Sequence, residues 1–248
     1  VGEKVEGYTN FLWVMIHSLF AKLGLDIVLT SRVLGAIFSL ITIFMVYRFT
    51  NNHTPERRLW NLLPPALVAL NAAYAIWALS GMETLLFTLL IFAAIYTFIG
   101  EEEKGWRFPL SAVLFALAAL TRPEGVLFFA TSAIVRVARV ATQTGEGSRG
   151  RNLIIWLAPF LIIFISYWLW RWHYYGYFFP NTFYAKTGGS FHQYVRGGHY
   201  ILKFVNAFGG IVLFALSLAV FLRKQLSFRV RYLLIILACY TAYIIYVG

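Results

Sequence analysis

Four short polar clusters interrupt an otherwise apolar chain, at 5–10, 80–84, 121–125 and 180–186, and three stretches at or around them hold residue types that chemistry can use. In Ser80-Gly81-Met82-Glu83-Thr84, a carboxylate opens an apolar run directly after a glycine that permits a tight turn. In Thr121-Arg122-Pro123-Glu124-Gly125, a cation and an acid flank a proline between two short apolar runs. A guanidinium there matches the oxygens of a phosphate as a fork, so phosphate holding is one role for Arg122. The third stretch runs from Arg171 to Lys186 and places His173, Asn181 and Lys186 among rings.

Each cluster also has a plainer reading. Glu83 can be a helix-start acid, favoured by the helix dipole by about 0.3–1 kcal/mol. Arg122 and Glu124 can form an ion pair that only closes their turn. Eight of the 16 residues in 171–186 are aromatic, among them Tyr184, dense enough for an interfacial aromatic belt. The alternative is a platform for sugar rings and an isoprenoid chain, with Asn181, His173 and Lys186 as polar handles. His17, alone on an apolar stretch, reads as structural. No His/Cys metal spacing, phosphate loop, nucleophile elbow or dinucleotide fingerprint is present.

The elements that must position these clusters follow from composition. Of 248 residues, 60% are apolar and 12% charged. Soluble domains carry about twice that share of charge, and this much apolar surface has no place in a water-soluble globule of this size. Disorder is excluded by the hydrophobicity, and an internal disulfide by the single Cys239. The apolar residues fall in blocks near 27–47, 60–79, 82–99, 108–121, 124–140, 152–171, 200–222 and 230–247. The expectation is an all-α polytopic membrane protein with about eight transmembrane helices, 1–248 forming one transmembrane domain cut at both ends. Runs 108–121 and 124–140 sit near the lower length limit for a span and read as a hairpin turning at Arg122. A helix over 9–23 is too short and polar to span and is expected at the interface. Pro64, Pro65 and Asn71 predict a kink and an interhelical hydrogen bond in the second span.

Basic residues set the expected orientation. Alternate loops hold Arg48, Arg57, Arg58, Lys104, Arg107, Arg136, Arg139, Arg149, Arg151, Arg223, Lys224, Arg229 and Arg231, which is 13 of the 21 Lys and Arg. These loops are read as cytoplasmic. The net charge of +11 then needs no nucleic acid, only anionic headgroups. The polar clusters consequently share the external face, and Glu6, Glu83 and Arg122 are expected at one external cavity.

Four segments together carry a resemblance: Glu6-Gly7-Tyr8-Thr9-Asn10-Phe11-Leu12-Trp13, Gly81-Met82-Glu83-Thr84, Thr121-Arg122-Pro123-Glu124-Gly125 and Pro180-Asn181-Thr182-Phe183-Tyr184-Ala185-Lys186. In this order they resemble bacterial polytopic glycosyltransferases of the GT-C superfamily, nearest to the arabinofuranosyltransferase-like and polyprenyl-phosphate-mannosyltransferase-like members. The resemblance implies a GT-C-like helical bundle in the bacterial inner membrane. It implies transfer of a sugar from a polyprenyl-phosphate donor to a cell-envelope glycan or lipid acceptor, with membrane lipids around it and no nucleic acid. The donor is a substrate, so no cofactor is expected; metal ligands are not expected, and a divalent ion is left open. Relatives carry an acidic pair upstream of the Glu-Gly-Tyr segment, so their main acid would precede Val1. Carried over to this chain are Glu6 and Glu83 as catalytic acids, and Arg122, Glu124, Tyr8, Asn181, Tyr184, Lys186 and His173 around the donor and its phosphate. A non-catalytic scaffold of the same fold and a transporter are the competing readings.

The topology is directly testable. In a C239S background, T54C and E146C should resist a membrane-impermeant maleimide in intact cells. Fast labelling at either position would overturn the orientation.

Overall fold

The first long helix shows how the chain meets its surroundings. A computed structural model describes residues 4–105, 108–142, 148–178, 180, 191–207 and 226–247. Helix α1 is Phe11–Lys22 and α2 is Ile27–His53. The buried residues of α2 are Ser31, Gly35, Ser39 and Thr42, whereas Leu29, Val33, Ile37, Leu40 and Phe44 are exposed. Small residues inside and large apolar ones outside are the pattern of a helix bathed in lipid, where packing rather than water exclusion holds helices together. A Cβ on Gly35 would collide with the Ala78 carbonyl, so this stripe permits close approach.

Helices α3 (Leu63–Ala69), α4 (Ala72–Ala78), α5 (Thr84–Lys104), α6 (Leu110–Thr121), α7 (Gly125–Thr142), α8 (Ser148–Tyr175), α9 (Phe191–Ala207) and α10 (Phe228–Val247) complete the described chain. No strand occurs among the described residues. Five helices, α2, α5, α7, α8 and α10, are long and apolar enough to cross a membrane. The protein is therefore a helical membrane protein.

The remaining expected spans differ. The 60–79 block is split: residues Trp60–Ala69 and Ala72–Ala78 meet at 59°. Pro64 and Pro65 sit at the start of α3, where a missing N–H costs nothing, and Asn71 caps α4 by accepting from Tyr74 N at 3.0 Å. The Tyr74 hydroxyl donates to Ser39 O of α2, so the break is anchored. The 108–121 block forms only a 12-residue helix. That is about 18 Å long, short of the roughly 30 Å hydrocarbon core. Most of the 200–222 block lies outside the described residues. The helix expected over 9–23 forms as α1, with Trp13 its one buried residue.

The chain divides into two compact units. The first comprises Thr9–Val126 and Ile154–Tyr167. Its core is the antiparallel pairing of α5 with α6, lined by Leu85, Ala94 and Phe98 on one side and Ala112, Phe115, Ala116 and Ala118 on the other. At one end Glu101 accepts from Ser111 N at 2.9 Å and from Ser111 Oγ at 2.7 Å. A carboxylate on the first amides of α6 satisfies donors the helix leaves orphaned and meets its positive dipole end. Trp156 of α8 donates to the same Ser111 Oγ at 2.8 Å. At the other end Gly125 lies so close to Ala118 and Ala119 that a Cβ would strike their backbone, which makes the turn into α7 possible only with glycine.

The second unit comprises Val1–Tyr8, Leu127–Leu153 and Trp168–Gly248. Here α7 meets α10 through a 2.6 Å hydrogen bond between the Ser132 and Tyr232 hydroxyls, both fully buried. Helices α9 and α10 pack at Gly197, whose hydrogen faces the Ile245 backbone. Gln193 donates to the Tyr246 and Val247 carbonyls near the end of α10.

Glu101→Ala should strip the partner from the buried Ser111 amide and hydroxyl. Each unsatisfied group costs about 1–3 kcal/mol. The thermal midpoint of the detergent-solubilised protein should fall clearly, by fluorescence-detected size exclusion.

Candidate functional site

Glu83 takes the N-cap position of α5, yet its side chain makes no capping hydrogen bond. Gly81, at φ +76°, turns the chain ahead of it, and Ser80 Oγ accepts from Met82 N at 3.2 Å to brace the turn. The carboxylate points elsewhere. Oε2 accepts from the Asn10 amide at 3.0 Å, and Oε1 lies 3.7 Å from Arg122 Nε. The plain helix-start role does not account for this geometry, because a capping acid turns toward the amides of its own helix.

Arg122 caps the C-terminal end of α6 in an extended conformation, its amide donating to Ala118 O at 2.8 Å. A cation suits that end of a helix. The turn Pro123-Glu124 follows, closed by Gly125 N donating to Arg122 O at 2.9 Å. The guanidinium stands 3.7 Å from Glu83 and 3.9 Å from Glu124, and 5.8 Å from the Phe87 ring centroid. Both ion pairs are longer than a hydrogen bond. The Arg122 side chain is 36% exposed and Glu83 10%. Glu124 Oε2 is buried and accepts no hydrogen bond from the described residues. Asn10, Glu83, Arg122 and Glu124 thus form one cluster at the α5–α6 end of the first unit, with one guanidinium facing two carboxylates.

Such a cluster can do two things. An open guanidinium can bind and stabilise an oxyanion. A carboxylate short of a donor can accept a proton from a hydroxyl brought to it. The turn-closing ion pair of the plainer reading would be shorter than 3.9 Å to be worth much at a half-exposed position.

The other expected residues lie in the second unit. Glu6 is buried, and Arg171 Nε lies 3.1 and 3.0 Å from its two oxygens. Burial pushes the Glu6 carboxyl above its ordinary range, while the Arg171 charge pulls it down. The rest of the Arg171 guanidinium donates to Phe178 O at 3.0 Å and Tyr177 O at 3.2 Å. With both oxygens occupied, Glu6 anchors the 4–8 segment to the turn after α8 rather than offering a free base. Tyr8 and Tyr175 hydroxyls are 3.2 Å apart, and Lys4 Nζ stands 4.0 Å over the Tyr174 ring. His173 is exposed. The described rings pack on one another, Trp168 edge-on to Phe178 at 4.7 Å between centroids. Asn181, Tyr184 and Lys186 lie outside the described residues.

Sequence reasoning paired Arg122 with Glu124 and set Glu83 on the same face. It missed Asn10 and Arg171 as partners. The signal for Arg171 was its charge at the end of a 152–171 apolar run, where a cation needs a partner. Among the described residues no group of three His, Cys, Asp or Glu side chains suits a metal ion. No protein-family model, curated protein or solved structure matches the chain.

Arg171→Leu leaves Glu6 buried without its partner, a loss of about 3–5 kcal/mol. Glu6→Leu with Arg171→Leu should recover part of that stability. Thermal unfolding in detergent that ranks the double variant below the single one would contradict a pair whose cost is an uncompensated charge.

Proposed function

We propose that this protein is a glycosyltransferase that uses a polyprenyl-phosphate sugar at the external face of a bacterial inner membrane, with a GT-C-like bundle as its frame. The observation that carries this reading is Arg122: a half-exposed guanidinium held near two carboxylates without a hydrogen bond to either. Its donors are open to a phosphate.

In this reading Glu83 or Glu124 takes the proton of the acceptor hydroxyl, whose oxygen attacks the anomeric carbon. The bond to the lipid phosphate breaks, and Arg122 stabilises the charge that grows on the leaving phosphate. Glu124 Oε2, buried and short of a donor, is the better placed acceptor for a hydroxyl proton. Glu83 also orients Arg122 and is held by Asn10. The exposed apolar faces of the spans give the lipid tail a place to lie.

One observation favours a transporter instead, namely the bent pair at 60–78, since broken helices mark many transporters. There, however, the freed helix start is already capped, with the Asn71 side chain accepting from Tyr74 N.

The test is a transfer assay with the full-length protein in liposomes, screening several polyprenyl-phosphate sugars. Arg122→Lys keeps charge but loses the fork, and turnover should fall on the order of 10-fold or more with expression unchanged. Glu124→Gln should cost on the order of 100-fold as lost base catalysis. Near-normal transfer by Arg122→Lys would return Arg122 to a turn-closing role. Absence of transfer from every donor, alongside accumulation of a labelled solute, would favour the transporter.

A further inference from the structure

A second polar feature of the first unit includes the Ser80–Gly81 turn in its wall and uses neither Glu83 nor Arg122. Helices α1 and α2 diverge around a groove of about 570 Å³. Trp13, His17, Ser31, Arg32, Ser80 and Gly81 are among its walls. Two of the lining residues are basic and none is acidic. Arg32 is exposed, and no ion pair or hydrogen bond engages its guanidinium among the described residues. In a span flanked by hydrocarbon, a cation without a partner is costly and calls for an anion.

The hydroxyls add a second requirement. Ser31 Oγ donates to Val28 O at 2.9 Å, Ser18 Oγ to Met15 O at 2.8 Å and Ser80 Oγ to Trp77 O at 2.9 Å. Their hydrogens are spent on helix carbonyls. What they present is lone pairs, which repel a bare anion and accept from a ligand hydroxyl. His17 Nδ1 faces the Trp13 carbonyl at 2.9 Å, an oxygen that only accepts, so this nitrogen carries the hydrogen. Nε2 is covered and has no partner. The occupant must therefore combine one negative charge with hydroxyl donors.

The flanks say where it comes from. Val14, Met15 and Leu19 of α1 and Val28, Leu29 and Val33 of α2 are exposed beside the groove. An amphiphile reaching it sideways from the bilayer lays its chains on these residues, and the volume suits a headgroup with its first methylenes rather than a whole lipid.

We propose that the α1–α2 groove is a binding site for a bilayer phospholipid with a phosphoglycerol headgroup, its phosphate on Arg32 and its glycerol hydroxyls toward the serine oxygens. The groove is independent of the transfer reading above, and its test does not read transfer.

The experiment is native mass spectrometry of the full chain from mixed micelles of equimolar dioleoyl phosphatidylglycerol and dioleoyl phosphatidylcholine. The protein should retain phosphatidylglycerol over phosphatidylcholine by about 10-fold. Arg32→Gln should remove most of that preference. Ala21→Trp, which fills the groove from its exposed rim without touching a charge, should lower phosphatidylglycerol retention even if Arg32→Gln folds poorly. Dioleoyl phosphatidic acid, with phosphate and no glycerol hydroxyl, should bind more weakly than phosphatidylglycerol. Unchanged retention in both variants, or equal retention of phosphatidylcholine, would overturn the site. Displacement of the lipid by millimolar sn-glycerol 1-phosphate alone would overturn the bilayer source and assign the groove to a soluble phosphate ester.

Discussion

Two carboxylates on α5 clamp the two ends of α6, and much of the first unit hangs from that arrangement. Glu101 holds the amide and hydroxyl of Ser111 where α6 begins, and Glu83 faces Arg122 where α6 ends. Both contacts agree with the helix dipole, anion at the start and cation at the finish. Between them, alanines at 112, 116, 118 and 119 let the two backbones approach. In hydrocarbon there is no solvent to drive apolar surfaces together, so close packing and satisfied polar ends set the register. The same carboxylates then recruit further elements. Asn10 ties the start of α1 to Glu83, and Trp156 ties α8 to the Ser111 hydroxyl that Glu101 holds.

This architecture explains why an open ion cluster sits at the end of α6. Helix α6 is only 12 residues long, and the turn that ends it carries Arg122 and Glu124. Arg122 finds two carboxylates, neither at hydrogen-bond distance. A tight bidentate pair would have been more stable and less available. Glu6 and Arg171 in the second unit show that other outcome: fully buried, within 3.1 Å, with the rest of the guanidinium spent on two carbonyls. Two ion pairs of the same residue types thus end in opposite states, one open and one closed, according to burial.

The kink at Asn71 was legible because its causes are local. Two prolines act within a few residues of the break, whereas Asn71, expected to bond to another helix, caps the next turn instead. The hairpin turn at Arg122 was legible for the same reason. The 12-residue length of α6 was not, since nothing in the 108–121 run distinguishes a core helix of alanines from a short span. Glu83 could be placed at a helix start, but not its turn away from that helix, which depends on Asn10 arriving 73 positions earlier in the chain.

Composition and block length alone determined that this is a helical membrane protein, because 60% apolar residues in long runs have no other stable home. The residue types at 83, 122 and 124 likewise marked one end of one hairpin as the place where charge collects. Which carboxylates stay open was decided only in three dimensions. The number of donors that reach an oxygen depends on what distant segments bring to it. Arg171 comes from 165 positions away to close Glu6, and among the described residues no hydrogen-bond donor reaches Glu124 Oε2. The difference between a closed acid and an open one is therefore a property of packing, and spacing along the chain does not contain it.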